Sequence, residues 1–486
     1  MGIVLNQSFK NITTTYLGFG IGAVNVLLFY PYFLSPEYYG LVTFLLSAGS
    51  LVWPIIAFGV HNSLVKFYSS YTSKLDQDKL LTLSLFLPLI AGLFLGSLGL
   101  IFYGAILELF DWKNSLVEDY VWLIYVIAVA VAYFEVFFAW SKIQLKSVFG
   151  NFMREVFHRA CTTILLLLVF FEIISVETFI YLLATIYIAR TLIMNIYAFK
   201  LYFPRLVFKW PTNKIAVLKY AFLMFVAGSV AMVLLDLDKV MIEQYLPIEE
   251  VSIYAMGIYI ASVIAVPSRA MHQITYPMTA ALLNQKNQKE LKSLYHRSSV
   301  TLLVVGGLVF LLIICNVNEL YRLIPPEYHL GMEVVLWIAW VRLYDNLLGN
   351  ANSILLNSDY YRLVLVLGVL LAVTAYLLNF WMIPVFGIYG AAYATFIAYF
   401  LYNSLKLIVI YWKFNLQPFS QKTAIVSLVI FLLTAGFYFW EFGYHPVVNM
   451  FLKSSIIATL YVFLMFRLNV SEDVSKLIRK ILKGKF

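Results

Sequence analysis

Residues 251–283 read VSIYAMGIYIASVIAVPSRAMHQITYPMTAALL, and this stretch decides what kind of fold the chain has. It is long and apolar enough to cross a bilayer, whose core takes about 20 helical residues, yet it contains Arg269, with Pro267 and Pro277 on either side. An arginine in hydrocarbon costs about 2.5 to 3.5 kcal/mol and faces a bundle interior or a wet cavity. Because proline kinks a helix, the stretch predicts a kinked, cationic spanning helix that lines the path of an anionic substrate.

The composition of the whole chain places it among polytopic membrane proteins. Of its 486 residues 62% are hydrophobic and only 12% are charged, with a mean hydropathy of +0.86, whereas soluble domains average about 25% charged residues. The net charge of +9 does not indicate nucleic-acid binding, because the basic residues gather on one predicted membrane side. Cys161 and Cys315 lie inside apolar runs, so neither a disulfide framework nor a metal site is expected.

Fourteen apolar runs have about the length that a spanning helix needs. We read the first run as a retained span rather than a signal peptide, because it is too long for a signal core and no small-residue cleavage site follows it. The runs are 12–34, 41–63, 80–107, 120–140, 159–174, 179–198, 215–235, 251–276, 298–315, 334–356, 361–383, 388–411, 424–440 and 447–466.

The distribution of lysine and arginine between the connecting loops orients these segments. With both termini in the cytoplasm, 26 of the 34 basic residues fall in cytoplasmic segments, four fall outside and four lie within spans. Cytoplasmic loops are enriched in lysine and arginine. One missed or extra helix in the middle of the chain would move many basic residues to the other side of the membrane. The strong excess on one side therefore supports the predicted topology.

The C-terminal residues 471–486, SEDVSKLIRKILKGKF, have apolar residues at helical spacing with basic residues between them. Ser471 suits a helix N-cap, with acids in the first turn. The pattern predicts a basic amphipathic helix on the anionic inner leaflet. The alternative is a frayed, solvated tail.

An internal repeat divides the chain. FLSPEYYGLVTF, from Phe33, matches YLPIEEVSIYAM, from Tyr245, and Pro54 falls opposite Pro267 at nearly the same offset. We therefore predict an all-α membrane protein of two pseudo-symmetric six-helix bundles, with a transport site between the two halves. The predicted parts are an N-terminal bundle at 1–199, a basic cytoplasmic linker at 200–214, a C-terminal bundle at 215–412, an appended helix pair at 424–466 and the basic tail at 471–486.

Four blocks of sequence resemble one known family. They are FLSPEYYGLVTF after the first segment, LDLDKVMIEQYLPIEEVSIYAM after the seventh, LIPPEYHLGMEVVLWIAW before the tenth and LNFWMIPVFGIYGAAYATFIAY across the eleventh and twelfth. Over essentially its whole length the chain resembles the polysaccharide-transporter branch, the Wzx-like flippases of O-antigen and capsule lipid-oligosaccharides, of the multidrug/oligosaccharidyl-lipid/polysaccharide flippase superfamily.

This resemblance implies a transporter, not an enzyme. Its substrate would be a polyprenyl-diphosphate-linked oligosaccharide, moved by alternating access across the bacterial inner membrane. The partners implied are this lipid-linked substrate, membrane lipids, and a polysaccharide polymerase and glycosyltransferases. No cofactor is expected apart from a coupling ion, Na⁺ or H⁺.

Fixed cations in a cavity could replace the hydration that a lipid diphosphate loses in the membrane. A rise of 1.5 Å per residue places two candidates roughly 12 to 17 Å below the outer surface, and the others lie nearer the inner side. Glu135 and Asp345 are the deep carboxylates and therefore the candidates for ion or proton coupling. The candidate cavity cations, with the two nearest the midplane first, are Arg190, Arg342, Arg269, Lys66 and Lys406.

Structural explanations compete for several of these residues. Lys66 and Lys406 could be snorkelling side chains at the inner interface. Arg190 could pair with Glu135, and Arg342 could pair with Asp345, three residues ahead on the same helix face.

Other functional classes lack a feature that they require. A drug or cation exporter of the same superfamily needs carboxylates to hold a cation, and the deep acids are outnumbered by basic residues; it remains the alternative. A glycosyltransferase, polymerase or ligase needs a large outside loop, and the longest spans about 18 residues. An ATP-driven exporter needs a GxxxxGK[ST] loop, which the sequence lacks.

Overall fold

The computed structural model describes residues 2–104 and 115–471, and these residues form helices without any strand. The all-α prediction is therefore confirmed. Eleven of the described helices are long and apolar enough to cross a membrane, so the protein is a multi-pass membrane protein. The predicted amphipathic helix at 471–486 lies outside the described residues except for Ser471.

Contacts divide the chain into two compact units, Met1–Ser252 and Ile253–Phe486. In the first, α3 packs on α7 and α11, and α7 packs on α10. The helices of this unit are α1 (Gly2–Val24), α2 (Tyr30–Phe33), α3 (Pro36–Ala57), α4 (Val60–Phe67), α5 (Lys74–Ile101), α6 (Ser115–Glu118), α7 (Val121–Ile143), α8 (Ser147–Phe152), α9 (His158–Phe170), α10 (Val176–Leu201) and α11 (Lys214–Tyr245), with π-helical turns at Asn25–Phe29 and Met153–Phe157 and a 3₁₀ turn at Tyr68–Ser70.

In the second unit α18 packs on α19, and α14 packs on α13, α16 and α20. Its first helix begins just before the boundary. The helices are α12 (Glu249–Ser262), α13 (Val266–Asn284), α14 (Gln288–Ile314), α15 (Val317–Tyr321), α16 (Gly331–Leu347), α17 (Ala351–Leu356), α18 (Tyr361–Phe386), α19 (Ile388–Phe414), α20 (Gln421–Phe437) and α21 (Pro446–Arg467), with 3₁₀ turns at Val263–Ala265 and Pro326–Tyr328.

All fourteen predicted segments coincide with helices in the described part of the chain, but three of them do not form one long span. The fifth, 159–174, falls on α9, which a π-turn joins to α8, and the tenth is split between α16 and α17. The thirteenth is α20, which has only 17 residues. Hydropathy thus located these helices but not their interruptions.

The repeated sequence forms the same local structure twice. Leu34 ends α2 in an extended conformation (φ −121°, ψ 151°), and Leu246 ends α11 in nearly the same one (φ −126°, ψ 164°). Each is followed within three residues by the start of a new helix. Contacts group α11 with the first unit, whereas the repeat predicts it as the first helix of the second half. The predicted domain boundaries stay a prediction, because contacts and repeats measure different properties.

The stretch 251–283 is kinked as expected. A 3₁₀ turn at Val263–Ala265 separates α12 from α13, and Pro267 lies in the first turn of α13. The Ile264 carbonyl at the kink accepts a hydrogen bond of 2.8 Å from the Asn346 amide of α16. A neighbouring helix thus satisfies a backbone group that the interruption leaves open, as a membrane interior requires.

An ion pair with no exposure to solvent joins α15 to α21. Lys453 Nζ lies 2.8 Å from Glu319 Oε1 and also donates to the Cys315 carbonyl at 2.8 Å. Both side chains are fully buried. Next to them the Asn316 amide donates to Ser454 Oγ at 3.0 Å, so polar contacts anchor the last described helix to the end of α14.

The end of α3 is set by two consecutive left-handed residues, Phe58 (φ 46°) and Gly59 (φ 66°). A Cβ added to Gly59 would lie 2.2 Å from the Ala221 carbonyl oxygen of α11. The break between α3 and α4 therefore requires glycine for both its backbone angles and the close approach of α11.

We expect Gly59→Ala to destabilise the protein by about 1 to 3 kcal/mol, because it adds both left-handed strain and a backbone clash. The measurement is thermal unfolding of purified protein in detergent. Gly228→Ala in α11 is the control, because nothing lies within 4 Å of a Cβ added there. Equal melting temperatures for the two variants would contradict this explanation of the break.

We expect Lys453→Met to cost about 3 to 5 kcal/mol, because it leaves the Glu319 carboxylate buried without a counter-charge. The double variant Lys453→Met/Glu319→Met should recover most of this loss, because no charge then remains buried. Lys413→Met, at an exposed lysine, is the control in the same unfolding assay. If the double variant is no more stable than Lys453→Met alone, the loss has another cause.

Candidate functional site

The first unit holds a buried carboxylate whose partner comes from a π-turn. Glu135 of α7 is 7% exposed, and its Oε1 lies 3.1 Å from Arg154 Nη2. Arg154 belongs to the π-helical turn Met153–Phe157, and such insertions re-aim side chains at functional sites. His61 of α4 also interacts electrostatically with Glu135. The charge of Glu135 is thus compensated within the unit.

Arg190 of α10 is not the ion-pair partner of Glu135. It is 5% exposed, and its guanidinium lies 4.2 Å from the centre of the Phe134 ring and 4.8 Å from that of Tyr187. Its Nε is buried and makes no hydrogen bond to the described residues. Two electron-rich ring faces therefore hold the guanidinium of Arg190, while Glu135 and Glu155 interact with it electrostatically.

Lys66 of α4 lies at the surface of the same unit. Its side chain is exposed, and its ammonium lies 3.9 Å above the centre of the Tyr220 ring. This position agrees with the snorkelling explanation and leaves the ammonium accessible to a negatively charged group.

In the second unit Lys406 of α19 is buried. It is 2% exposed and donates to Asn352 Oδ1 of α17 at 3.1 Å, while Asp345 Oδ1 of α16 lies 3.9 Å away. The centre of the Tyr402 ring, one turn back on α19, is 4.3 Å from the ammonium. The snorkelling explanation for Lys406 is therefore wrong, and three helices converge on this lysine.

Arg342 and Arg269 have no carboxylate within ion-pair distance among the described residues. Arg342 of α16 is half-buried, and its guanidinium lies 5.5 Å from the centre of the Tyr399 ring. Its expected partner Asp345 instead lies nearest Lys406. Arg269 of α13 is exposed and lies four residues beyond the kink. Both arginines therefore remain able to bind an external anion.

Each unit thus contains a carboxylate that already faces a base, together with further basic groups held by aromatic rings. In a low-dielectric interior such uncompensated cations attract an anion strongly. Several residues of these arrangements were not predicted as site residues, among them Arg154, Asn352, Tyr399 and Tyr402. The spacing of Tyr402 and Lys406, four residues apart on one helix face, was the signal that could have identified one of them.

No group of three or more histidine, cysteine, aspartate or glutamate side chains in the described part of the chain could hold a metal ion. A coupling ion, Na⁺ or H⁺, with Glu135 and Asp345 as its candidate ligands, remains a prediction.

The architecture matches that of known transporters. "Lipid II flippase MurJ, inward closed conformation" aligns with a TM-score of 0.71 at 12% identity, covering 95% of this chain and 99% of the other. An "inward-facing conformation of a multidrug resistance MATE family transporter of the MOP superfamily" aligns with a TM-score of 0.57 at 12% identity, covering 88% and 94%. The chain therefore has the fold of MOP superfamily transporters.

Sequence comparison points in the same direction. The MatE family model matches residues 224–381, less than half of the chain. A comparison with curated protein sequences finds no match. The MatE match and the shared fold together support membership of the MOP superfamily, and neither distinguishes its branches.

Proposed function

We propose that this protein is an alternating-access flippase that moves a polyprenyl-diphosphate-linked oligosaccharide from the inner to the outer leaflet of the bacterial inner membrane. The product serves surface polysaccharide synthesis, as O-antigen, capsule or exopolysaccharide. Both termini lie in the cytoplasm, in agreement with the distribution of basic residues. Transport rather than catalysis is the activity.

The observation that carries this proposal is the charge balance of the spanning helices. Glu135 and Asp345 each already face a base, whereas Arg269 and Arg342 have no carboxylate within 4 Å among the described residues. A diphosphate that leaves water needs fixed positive groups in place of its hydration. The excess of cations therefore suits an anionic headgroup better than a cationic drug.

The fold agrees with a lipid substrate. The structure that aligns over 95% of this chain with a TM-score of 0.71 is named as a lipid II flippase, so this architecture accommodates the transfer of a lipid. That this chain also has a lipid as its substrate is part of the proposal.

Energy for the cycle comes from an ion gradient or from removal of the product. In our proposal Glu135 and Asp345 exchange a proton or Na⁺ while the basic residues hold the diphosphate. A polysaccharide polymerase and glycosyltransferases are the expected partners, because the first consumes the flipped product and the second build the substrate.

We expect Arg269→Ala to abolish surface display of the polysaccharide at normal protein levels, because it removes an exposed cation that has no carboxylate within ion-pair distance among the described residues. Arg269→Lys should retain part of the display, because lysine keeps the positive charge and lacks only the planar guanidinium group, which can donate two parallel hydrogen bonds. The measurement is surface glycan staining in a deletion strain that carries each variant.

Arg205→Ala is the matched control, since this arginine is exposed and lies in the predicted cytoplasmic linker. It should display glycan like the parent. If Arg269→Ala also displays glycan like the parent, the role assigned to this cation is wrong.

The exporter alternative rests on a specific observation, the match of residues 224–381 to the MatE family model. An exporter would lower the accumulation of a lipophilic cation such as ethidium in cells, and it would not affect lipid-linked oligosaccharides. We expect the deletion strain to accumulate lipid-linked oligosaccharide on the inner leaflet, with unchanged ethidium uptake. The reverse pattern would favour the exporter.

A further inference from the structure

A basic pocket lies in the second unit, away from the residues discussed above. It has a volume of about 160 Å³, and its polar lining includes His296, Arg297, Thr301, Ser420 and Lys422. The pocket lies where the third and fourth turns of α14 meet the start of α20 and the chain that follows α21. It has room for a phosphate group with a few water molecules, because a water occupies about 30 Å³ in the liquid.

The electrostatics of the pocket favour an anion. Arg297 and Lys422 are exposed cations at its wall. Its described lining includes no aspartate or glutamate. Arginine and lysine are the side chains that proteins use to bind phosphate groups.

His296 adds a polar atom that lacks a partner. Its Nδ1 is buried without a hydrogen-bond partner among the described residues. A buried polar atom of this kind costs free energy. In the neutral tautomer that carries its proton on Nδ1, this nitrogen would donate to a phosphate oxygen and remove that cost.

The backbone at the pocket also suits an anion. Ser420 caps α20 by accepting a hydrogen bond from the Thr423 amide at 3.2 Å, so the positive end of the dipole of this 17-residue helix lies at the pocket. On the opposite wall, the hydroxyl groups of Thr301 and Ser471 lie 3.0 Å apart. Hydroxyl groups can donate to phosphate oxygens as well.

We propose that this pocket binds the phosphate group of an anionic phospholipid of the inner leaflet, such as phosphatidylglycerol. The positive-inside distribution places this end of α14 and the loop before α20 at the cytoplasmic face, where anionic headgroups lie. Basic pockets between spanning helices on this face are known to accept such headgroups. The site is separate from the proposed transport cations and does not depend on the transported substrate.

A bound phosphate would contact three parts of the unit at once. It would link the third and fourth turns of α14 to the cap of α20 and to Ser471 after α21. The lipid would therefore hold the last two helices onto α14, and we expect it to raise the stability of the protein as well as to bind.

The test measures the thermal midpoint of the full chain, purified in a neutral detergent, as phosphatidylglycerol, phosphatidylcholine or inorganic phosphate is added. We expect phosphatidylglycerol to raise the midpoint and phosphatidylcholine to leave it unchanged. In Arg297→Gln/Lys422→Gln the half-effective lipid concentration should rise by about tenfold or more, because hydrogen bonds to a charged group are lost.

The matched control is Lys289→Gln/Lys413→Gln, which removes two exposed basic residues of the same predicted face outside the pocket. It should respond to phosphatidylglycerol like the parent. The single variant Lys422→Gln, at an exposed position, gives the same readout if the double variant fails to fold. Lys422→Arg should restore the response.

Three results would overturn the proposal. The first is an equal loss of the lipid response in the control and the pocket variant. The second is full stabilisation by millimolar inorganic phosphate alone, which would make the site one for free phosphate. The third is that the parent protein does not respond to phosphatidylglycerol whereas the variant Glu472→Gln/Asp473→Asn does. This result would mean that the two acids directly after Ser471 in the sequence occupy the pocket instead of a lipid.

Discussion

A polar group inside hydrocarbon has to find its partner within the protein, because no water is there to take that place. The second unit shows the consequence most clearly. Lys453 and Glu319 meet 2.8 Å apart with no exposure, and Lys406 reaches Asn352 at 3.1 Å. Lipid tails are as apolar as leucine, so burial of apolar surface does little to hold spanning helices together. These polar contacts between helices therefore specify which helices are neighbours.

The same constraint explains where the helices are interrupted. In the first unit the π-turn that begins at Asn25 is accompanied by a bond of 3.0 Å from its amide to the Arg159 carbonyl. In the second unit the break between α16 and α17 is filled by Asn350, which accepts from Ser298 at 3.0 Å and donates to Thr279 at 2.8 Å. At both of these interruptions a side-chain amide bonds to another helix. The second π-turn also places Arg154 beside Glu135, so one interruption contributes directly to the candidate site.

Much of the fold could be predicted from the sequence, because apolar length and loop charge are properties of single segments. The sequence repeat aligns Leu34 with Leu246, and the structure gives both residues an extended backbone. The partners of the charges could not be predicted in this way. Lys453 and its partner Glu319 lie on different helices, and hydropathy evaluates one helix at a time. The predicted fifth segment begins at residue 159 and leaves Arg154 outside it, whereas the helical structure continues back through the π-turn to α8.

The side chains that surround Arg190 and Arg342 affect which ligands the interior can bind. Arg190 lies over Phe134 at 4.2 Å, and Arg342 lies over Tyr399 at 5.5 Å. An aromatic face stabilises a cation through its quadrupole and carries no net charge, so the positive potential around such an arginine survives. A carboxylate partner would cancel that potential. A site for cationic drugs needs the opposite arrangement, with acids in excess and bases neutralised. Aromatic rings lie next to both arginines, and neither has a carboxylate within ion-pair distance among the described residues, so both remain able to attract an anion.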